Sequence, residues 1–325
     1  MKIKKEYLIL AVVIVALSLY LVFHDRDRSS YELPRLAPIE RNEITKIEIS
    51  RNGQATIQLI REGSDWKILP KAYPADATRV KEMLDVINGL TLTALVSESK
   101  NYQIYDLDDA HRIHVKVWSG DDVVREFDTG KAASSFRHTF VKLPENAMVY
   151  HARDNFRRKF DVSIDDLRDK EVLAFDKALI KEIAIQKGEQ ASIFSKQAPV
   201  EEKEAQQQVE EGGKPADATQ AVWRNEKNEA ADEAGIQRLL TSLADLKCDS
   251  YLEEKTKEDF DTPIFSIRLK GDKAYSLSLF DKSNEADTQY PAVSSDNPYP
   301  FLLPKWRVDN LMKDPAELLK KTEQE

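Results

Sequence analysis

Histidines are the first side chains to consider for metal chemistry, and the chain has five of them. His111 and His114 lie three residues apart in a stretch whose alternation of apolar and polar residues predicts a strand. Residues three apart in an extended backbone point to opposite faces, so these two imidazoles cannot bind one ion together. His138 and His151 have no cysteine or acidic partner at the spacing of zinc ligands. We therefore predict no metal site and no cofactor.

Carboxylates are dense in one region, at Asp106, Asp108, Asp109, Asp121 and Asp122. A calcium loop of the EF-hand type requires several oxygen ligands, a glycine at its sharp turn and a terminal glutamate. That glycine and that glutamate are missing here, and aspartate is common in turns and caps. These residues therefore indicate turns rather than a calcium site.

Nucleophilic catalysis requires a side chain that a neighbouring base activates. Ser134, Ser135 and Ser163 have histidine or aspartate nearby in the sequence, but none lies in a Gly-x-Ser-x-Gly turn. The sequence also contains no glycine-rich phosphate loop, no His-Glu-x-x-His and no Cys-x-x-Cys. Pairs of carboxylates are uninformative in a chain with 57 acidic residues. We predict that the protein is not an enzyme.

One cluster of cations is a candidate interaction patch, and its members are Arg153, Arg157, Arg158 and Lys159. The surrounding segment, residues 153–160, has the pattern of a basic amphipathic helix. Such a patch suits an anionic lipid, a glycan or an acidic partner. The more ordinary explanation is a solvated helix face, whose cations also suit the negative end of the helix dipole.

These candidate residues lie among elements that recur in the two halves of the chain. Asp76 is a predicted N-cap, since a short carboxylate accepts the free amide protons of the first turn, and Asp232 repeats the device. The offset is constant, because 232 − 76 and 246 − 90 both equal 156. The apolar helix positions are Val80, Met83, Leu84, Ile87 and Leu90 in the first copy and Ile236, Leu239, Leu240, Leu243 and Leu246 in the second.

Alternating stretches predict strands around each helix. Ile44–Ser50, the Asn52-Gly53 turn and Ala55–Ile60 predict a hairpin, and Leu179–Gln186 repeats its first strand. Short turns join the strands without regular alternation of strand and helix, which is typical of an α+β fold with mostly antiparallel sheet. We predict two tandem repeated domains, each a mostly antiparallel sheet with one main amphipathic helix.

The second copy is longer between its first strand and its helix. The added stretch, Ala198–Gln220, is acidic and rich in glutamine and has almost no large apolar side chains. It cannot bury enough surface to offset its chain entropy, so we predict a disordered insertion in a hairpin. Trp66 and Trp223 stand at matching positions of the two copies, which favours core packing over a binding platform.

The N-terminus carries an uncharged apolar run, Tyr7–Phe23, after Lys2, Lys4 and Lys5. The run has about the minimum length that spans a bilayer as a helix, and the lysines favour a cytoplasmic N-terminus. A cleaved signal peptide is the alternative, but the sequence after Ala16 offers no clean small-residue cleavage pattern. We predict an uncleaved signal-anchor, so that everything after Phe23 lies outside the cytoplasm.

The cysteine count and the net charge limit the possible crosslinks and binding partners of the chain. Cys248 is the single cysteine, so the chain has no intramolecular disulfide, and the residue is predicted to pack as a small hydrophobe. A net charge of −9 argues against nucleic acid or anionic lipid as the main partner of the soluble part.

Several stretches resemble the domain-of-unknown-function family 4340. They are the strand at Ile44–Ser50, the Trp66 strand, residues 73–90 (YPADATRVKEMLDVINGL), residues 105–109 (YDLDD) and residues 167–170 (LRDK), which lead to Phe175-Asp176. The family's tyrosine-glycine-leucine turn is Tyr105-Asp106-Leu107 here, and the second copy has the shortened form Phe260-Asp261-Thr262-Pro263. The resemblance implies single-pass anchored, tandem-domain proteins, often found beside ABC-type transport systems related to gliding-motility exporters. It brings no catalytic residues.

Together these observations predict a cytoplasmic tip and transmembrane signal-anchor (1–28) and a tether (29–43), followed by two α+β repeats (44–174 and 175–320) and a short tail (321–325). The chain is expected in the inner membrane of a Gram-negative bacterium, with its bulk in the periplasm. Its predicted role is that of a non-catalytic accessory or scaffold, with the membrane and integral-membrane transporter subunits as partners. The alternative is a binding module for an envelope polymer or a small ligand, and an envelope hydrolase is a third, weaker possibility.

Overall fold

The computed structural model describes residues 5–24, 32–197, 222–282 and 284–320. The chain divides into two compact units, Met1–Asp169 (unit 1) and Lys170–Glu325 (unit 2). The predicted insertion at 198–220 and the predicted tail at 321–325 lie outside the described residues. The sheets are antiparallel throughout and helices are few, so the predicted α+β class is confirmed.

Unit 1 has one large sheet, whose strand order is β4-β3-β2-β1-β6-β7-β8-β9-β5. Its strands are β1 (Lys46–Arg51), β2 (Ile57–Glu62), β3 (Asp65–Leu69), β4 (Tyr73–Pro74), β5 (Leu92–Ser97), β6 (Ile113–Ser119), β7 (Asp122–Ala132), β8 (His138–Lys142) and β9 (Val149–Arg153). Its helices are α1 (Lys5–His24), α2 (Ala77–Gly89), α3 (Arg157–Phe160) and α4 (Ile164–Leu167).

The long helix α2 forms where the sequence predicts it. The Asp76 carboxylate accepts hydrogen bonds from the amides of Thr78 (2.8 Å) and Arg79 (3.0 Å), which satisfies two free donors of the first turn. The face that follows is apolar and packs in the core, with Val80, Met83, Leu84 and Ile87 buried. The predicted cap and the predicted buried face are both confirmed.

The two faces of the unit 1 sheet differ in polarity. On β1 and β6, Ile47, Ile49, Val115 and Val117 are fully buried, and the residues between them are half-exposed. This period of two puts one set of side chains in the core and leaves a polar face.

Unit 2 has an eight-stranded sheet and a separate two-stranded pair, β10-β14. The order in the larger sheet is β13-β12-β11-β16-β17-β18-β19-β15. The strands are β10 (Glu171–Ala174), β11 (Glu182–Lys187), β12 (Gln190–Gln197), β13 (Val222–Asn225), β14 (Asp245–Lys247), β15 (Ser250–Tyr251), β16 (Phe265–Lys270), β17 (Ala274–Leu279), β18 (Gln289–Ser294) and β19 (Phe301–Pro304), and the helices are α5 (Glu233–Leu243) and α6 (Lys305–Leu311).

The core of unit 2 forms around α5. Asp232 caps the helix by accepting from the amide of Ala234, as predicted. Trp223 is 1% exposed and belongs to this core, and Trp66 is 7% exposed in unit 1, so the prediction of core packing is confirmed for both. Cys248 is also buried among apolar side chains, as predicted for a small hydrophobe.

The boundaries differ in detail from the expected ones. The division falls after Asp169 instead of after Ala174, because β10 pairs with β14 of the second unit. Part of the expected tether, 29–43, is fixed to unit 1, since the Ala37 carbonyl accepts a hydrogen bond from the Arg125 guanidinium (2.6 Å) and Ile39 is buried. Arg41 also forms an ion pair with Asp85 on α2.

The N-terminal helix α1 contains 20 residues. Within the part of the chain that the structure describes, no helix combines the length and the hydropathy expected of a membrane span.

Candidate functional site

The buried carboxylate of Asp128, on β7, contacts three basic side chains of unit 1. The carboxylate oxygens of Asp128 lie 2.7 Å from the Nδ1 of His114, 2.8 Å from the Nζ of Lys142 and 3.0 Å from a guanidinium nitrogen of Arg112. The strand register explains the convergence, because His114 on β6 and Lys142 on β8 are the direct neighbours of Asp128 on β7. Cross-strand neighbours point to the same face of a sheet.

The environment of Asp128 decides what it can do chemically. Burial alone would raise its pKa, but the hydrogen bonds from His114 and Lys142 and the charges of Lys142 and Arg112 lower the pKa to about 2. A carboxylate this acidic is a weak base and stays ionised at neutral pH, so it cannot act as a general acid or base there. Asp128 therefore joins β7 to β6 by a hydrogen bond with His114 and to β8 by an ion pair with Lys142.

Further charged side chains lie on the same polar face of the unit 1 sheet as Asp128. Glu126 lies 3.3 Å from Lys116 and 3.5 Å from His114, and Glu48 on β1 accepts from Gln58 on β2 (3.0 Å). Among the described residues, no group of three or more histidine, cysteine, aspartate or glutamate side chains has an arrangement that would hold a metal ion.

The second feature is the tip of the β7–β8 hairpin, residues 133–137. Phe136 is 74% exposed, and its backbone has φ of 55°, a left-handed conformation that bulky residues rarely adopt. Its amide donates to the Ala133 carbonyl (2.8 Å), which closes the turn. Lys131, before the tip, and Arg137, directly after Phe136, are both exposed.

The end of β9 lies beside this tip. Arg153 pairs with His138 on β8, and the amide of Asp154 donates to the Arg137 carbonyl (2.9 Å). Arg153 and Arg158 are exposed. We call Lys131, Phe136, Arg137 and Arg153 together the basic edge.

The prediction of a helix over residues 153–160 is wrong for the first half of that segment. Arg153 is the last residue of β9, and Asp154 has φ of 72°, so the chain turns sharply before α3 begins at Arg157. The Thr139 hydroxyl holds this turn by donating to the Asp154 carbonyl (2.8 Å) and accepting from the amide of Phe156 (3.1 Å). The basic residues of the predicted patch therefore lie on a strand end and a single helical turn.

The four predicted patch residues have different surroundings. Arg153 and Arg158 are exposed, and Lys159 is half-exposed. Arg157 has a structural role, because its guanidinium donates to the carbonyls of His111 (2.7 Å) and Thr129 (3.2 Å). Sequence reasoning did not identify Phe136, because no periodic pattern in the sequence indicates that this side chain is exposed.

Sequence reasoning also missed a group of ring contacts between β8, β9 and the 3₁₀ turn at Tyr105. His138 and His151 stack with centroids 5.2 Å apart, Phe140 lies 5.0 Å from His151, and Tyr105 lies 4.8 Å from Phe140. Burial and the nearby His138 lower the pKa of His151. The pairing of β8 with β9 brings His138 and Phe140 beside His151. These contacts could have been predicted only from knowledge of which strands pair.

The remaining candidates for chemistry occupy caps and turns. His111 lies before β6, not on a strand, and its Nδ1 is 2.9 Å from the Asp108 carboxylate, whose pKa this hydrogen bond lowers. Ser163 caps α4 in a reciprocal pair with Asp166, and Asp106 closes a 3₁₀ turn with φ of 54°. Of the predicted serines, Ser134 and Ser135 are exposed in the hairpin tip.

An open cleft of about 1010 Å³ lies next to the basic edge in unit 1. Residues 32–36 form one wall, and Leu90, Thr91 and Leu92 form the other. The Thr91 carbonyl accepts a hydrogen bond from the amide of Arg153 (2.9 Å), which connects this wall to the basic edge.

Comparison with known protein families identifies the family of this chain. The family model described as Domain of unknown function (DUF4340) matches residues 68–263, which is more than half of the chain. No curated protein and no solved structure matches the chain. The matched range contains both main helices, α2 and α5, and the buried Trp223, and it begins two residues after Trp66. The chain therefore belongs to the DUF4340 family.

Proposed function

We propose that the protein is a non-catalytic, membrane-anchored accessory or scaffold of an ABC-type transport assembly, with its two units in the periplasm. The observation that carries the proposal is the surface of α1. Its described large apolar side chains are between 46% and 62% exposed, namely Leu10, Val12, Val13, Ile14, Val15, Leu17, Leu19 and Tyr20. Such a surface is unfavourable in water, so a lipid environment is the solvent that fits it.

The sequence supplies the orientation. Tyr7–Phe23 has no charge, and Lys2, Lys4 and Lys5 precede it, which favours an N-terminus on the cytoplasmic side of the inner membrane. An anchor of this kind raises the effective concentration of the two units near other membrane subunits, so weak contacts suffice for association.

We also propose that the two units are copies of one module. In each unit the first hairpin lies beside the strand that carries the buried tryptophan, and a later strand pairs with the first strand on its other side. Unit 1 continues as β1-β6-β7-β8-β9-β5 and unit 2 as β11-β16-β17-β18-β19-β15, which is the same order of equivalent strands. The helices α2 and α5 begin at equivalent aspartate caps.

A non-catalytic role agrees with the chemistry of the described side chains. Asp128, whose pKa is lowered to about 2, is held in its ionised form by Lys142, Arg112 and a hydrogen bond with His114. The sequence also lacks the motifs of hydrolases and phosphate-binding enzymes.

Two experiments test the proposal. A reporter active only in the periplasm, fused after Glu325, should be active, and a reporter active only in the cytoplasm should be silent. The tagged chain, purified from gently solubilised native membranes, should bring transporter permease and ATPase subunits in stoichiometric amounts. The matched control is the same chain with a cleavable signal peptide in place of residues 1–28, which should lose these subunits.

Two results would count against the proposal. An active cytoplasmic reporter with a silent periplasmic one would overturn the topology. Recovery of the chain alone at several detergent strengths would overturn the accessory role and favour a binding module for an envelope polymer or a small ligand.

A further inference from the structure

We propose that the basic edge of unit 1 lies on the anionic lipid surface of the membrane that holds α1, with the Phe136 ring inserted among the headgroups. This inference rests on the proposed membrane anchor. It assigns a second, reversible membrane contact to the folded part of the chain. The contact is local to this edge, because the net charge of −9 disfavours anionic lipid as the main partner of the chain as a whole.

The charges of the basic edge are available for a partner. Lys131, Arg137 and Arg153 are exposed, and within the part of the chain that the structure describes none of their side chains forms an ion pair or a hydrogen bond. The cations of the sheet face, in contrast, are neutralised internally, as Lys142 and Arg112 are by Asp128. Anionic lipid attracts cations close to its surface, and each one strengthens binding about fivefold.

Phe136 gives the edge an apolar tip. The hydrogen bond between the Phe136 amide and the Ala133 carbonyl fixes the turn, and the ring remains 74% exposed. Left-handed backbone at a bulky residue is unfavourable and persists where the structure imposes it, often at sites of binding. An exposed ring flanked by cations is the composition of segments that lie in the headgroup region.

The path of the chain places this edge near the bilayer. Residues 32–36 line the cleft together with Thr91, and the Thr91 carbonyl binds the amide of Arg153. The chain that arrives from α1 therefore reaches unit 1 beside the basic edge. His24 and Glu32 are separated by eight peptide units, which span at most about 28 Å. This proximity favours lipid over an acidic protein as the occupant.

A fluorescent label at the tip tests the inference in the full chain. Cys248 is buried, so Ser134→Cys adds an accessible thiol beside Phe136 that reacts selectively with an environment-sensitive dye. The labelled chain is reconstituted through α1 into nanodiscs of phosphatidylcholine, with or without phosphatidylglycerol. We expect a blue-shifted emission, and quenching by brominated lipid, only in the discs that contain phosphatidylglycerol.

Two control variants make the test specific. Phe136→Ser in the labelled chain should abolish the quenching, and the double substitution Arg137→Gln and Arg153→Gln should weaken the membrane contact about 25-fold. The same dye on Asp122→Cys, at the start of β7 and thus at the other end of the strand, should report water in every disc.

Each outcome decides between explanations. A dye that stays in water in anionic discs, while α1 resists extraction by alkaline carbonate, would overturn the lipid contact and leave the anchor intact. Equal shifts in both kinds of disc would overturn the role of the cations, and a shift that requires added acidic polypeptide would assign the edge to a protein partner. A chain that carbonate extracts would refute the proposed anchor itself.

Discussion

Replacing Asp128 by asparagine removes the charge on which Arg112, His114 and Lys142 converge and keeps the size of the side chain. In the native protein the pKa of Asp128 is lowered from 3.8 to about 2. A difference of this size corresponds to about 2 kcal/mol of stability. Because the folded-state pKa lies below the unfolded value, this stability is present above pH 3.8 and is lost as the pH falls through 2.

The pH profile is the sharpest part of this prediction. At pH 7 we expect Asp128→Asn to lower the free energy of unfolding by about 2 kcal/mol or more, since Lys142 and Arg112 then lack their shared counter-ion. At pH 3 the Asp128 carboxyl group is mostly protonated in the unfolded chain and still mostly ionised in the folded one. The difference between the two proteins should therefore fall to about half.

The assay must report on unit 1 separately from unit 2. Hydrogen exchange of peptides from β6, β7 and β8, followed in denaturant at pH 7 and at pH 3, gives that resolution. Glu126→Gln is the matched control, because Glu126 lies on the same strand but is a quarter exposed, and its ion pairs should contribute less than about 1 kcal/mol. Two results would refute the reasoning: an equal free energy of unfolding for Asp128→Asn and the native chain at pH 7, or a difference in that free energy that is the same at pH 7 and pH 3.

Three further predictions follow from single positions. Gly130→Ala should lower the free energy of unfolding of unit 1 by about 2 kcal/mol or more, since the added Cβ would overlap the Tyr105 carbonyl; an unchanged denaturation midpoint would contradict this. Asp106→Gly should raise that free energy by about 0.5 kcal/mol, because glycine adopts the left-handed backbone at φ of 54° without steric cost, and a lowered midpoint would oppose it. Asp76→Ala and Asp232→Ala should each cost about 1 kcal/mol and speed hydrogen exchange in the first turn of α2 and α5 respectively; exchange that is unchanged there would exclude the capping role.

Local signals in the sequence predicted local structure well. Asp76 and Asp232 cap the predicted helices because capping depends on residues two or three positions away. The first hairpin was predictable for the same reason, since the Asn52-Gly53 turn and the flanking alternation lie in one short segment, and β1 pairs with β2.

The candidate site was less predictable, because its geometry depends on strand pairing. The positive patch was visible in the sequence, but Arg153 belongs to β9 and not to a helix, since Asp154 turns the chain before α3. Nothing in the local pattern brings His138 beside His151 or marks Phe136 as exposed. Those features follow from the neighbours of β8 in the sheet, which periodicity does not determine.

The position of β5 has a consequence for how the protein is made. Leu92 on this edge strand pairs with Ala152 on β9, so 60 residues separate the partners along the chain. During synthesis β5 emerges well before β9, and its sequence, Leu92–Ser97, contains no charged residue to discourage pairing with another chain. Long-range pairing of this kind slows folding and exposes unpaired strands. The interval between the synthesis of residues 97 and 149 is therefore the period in which the nascent chain most needs protection from aggregation.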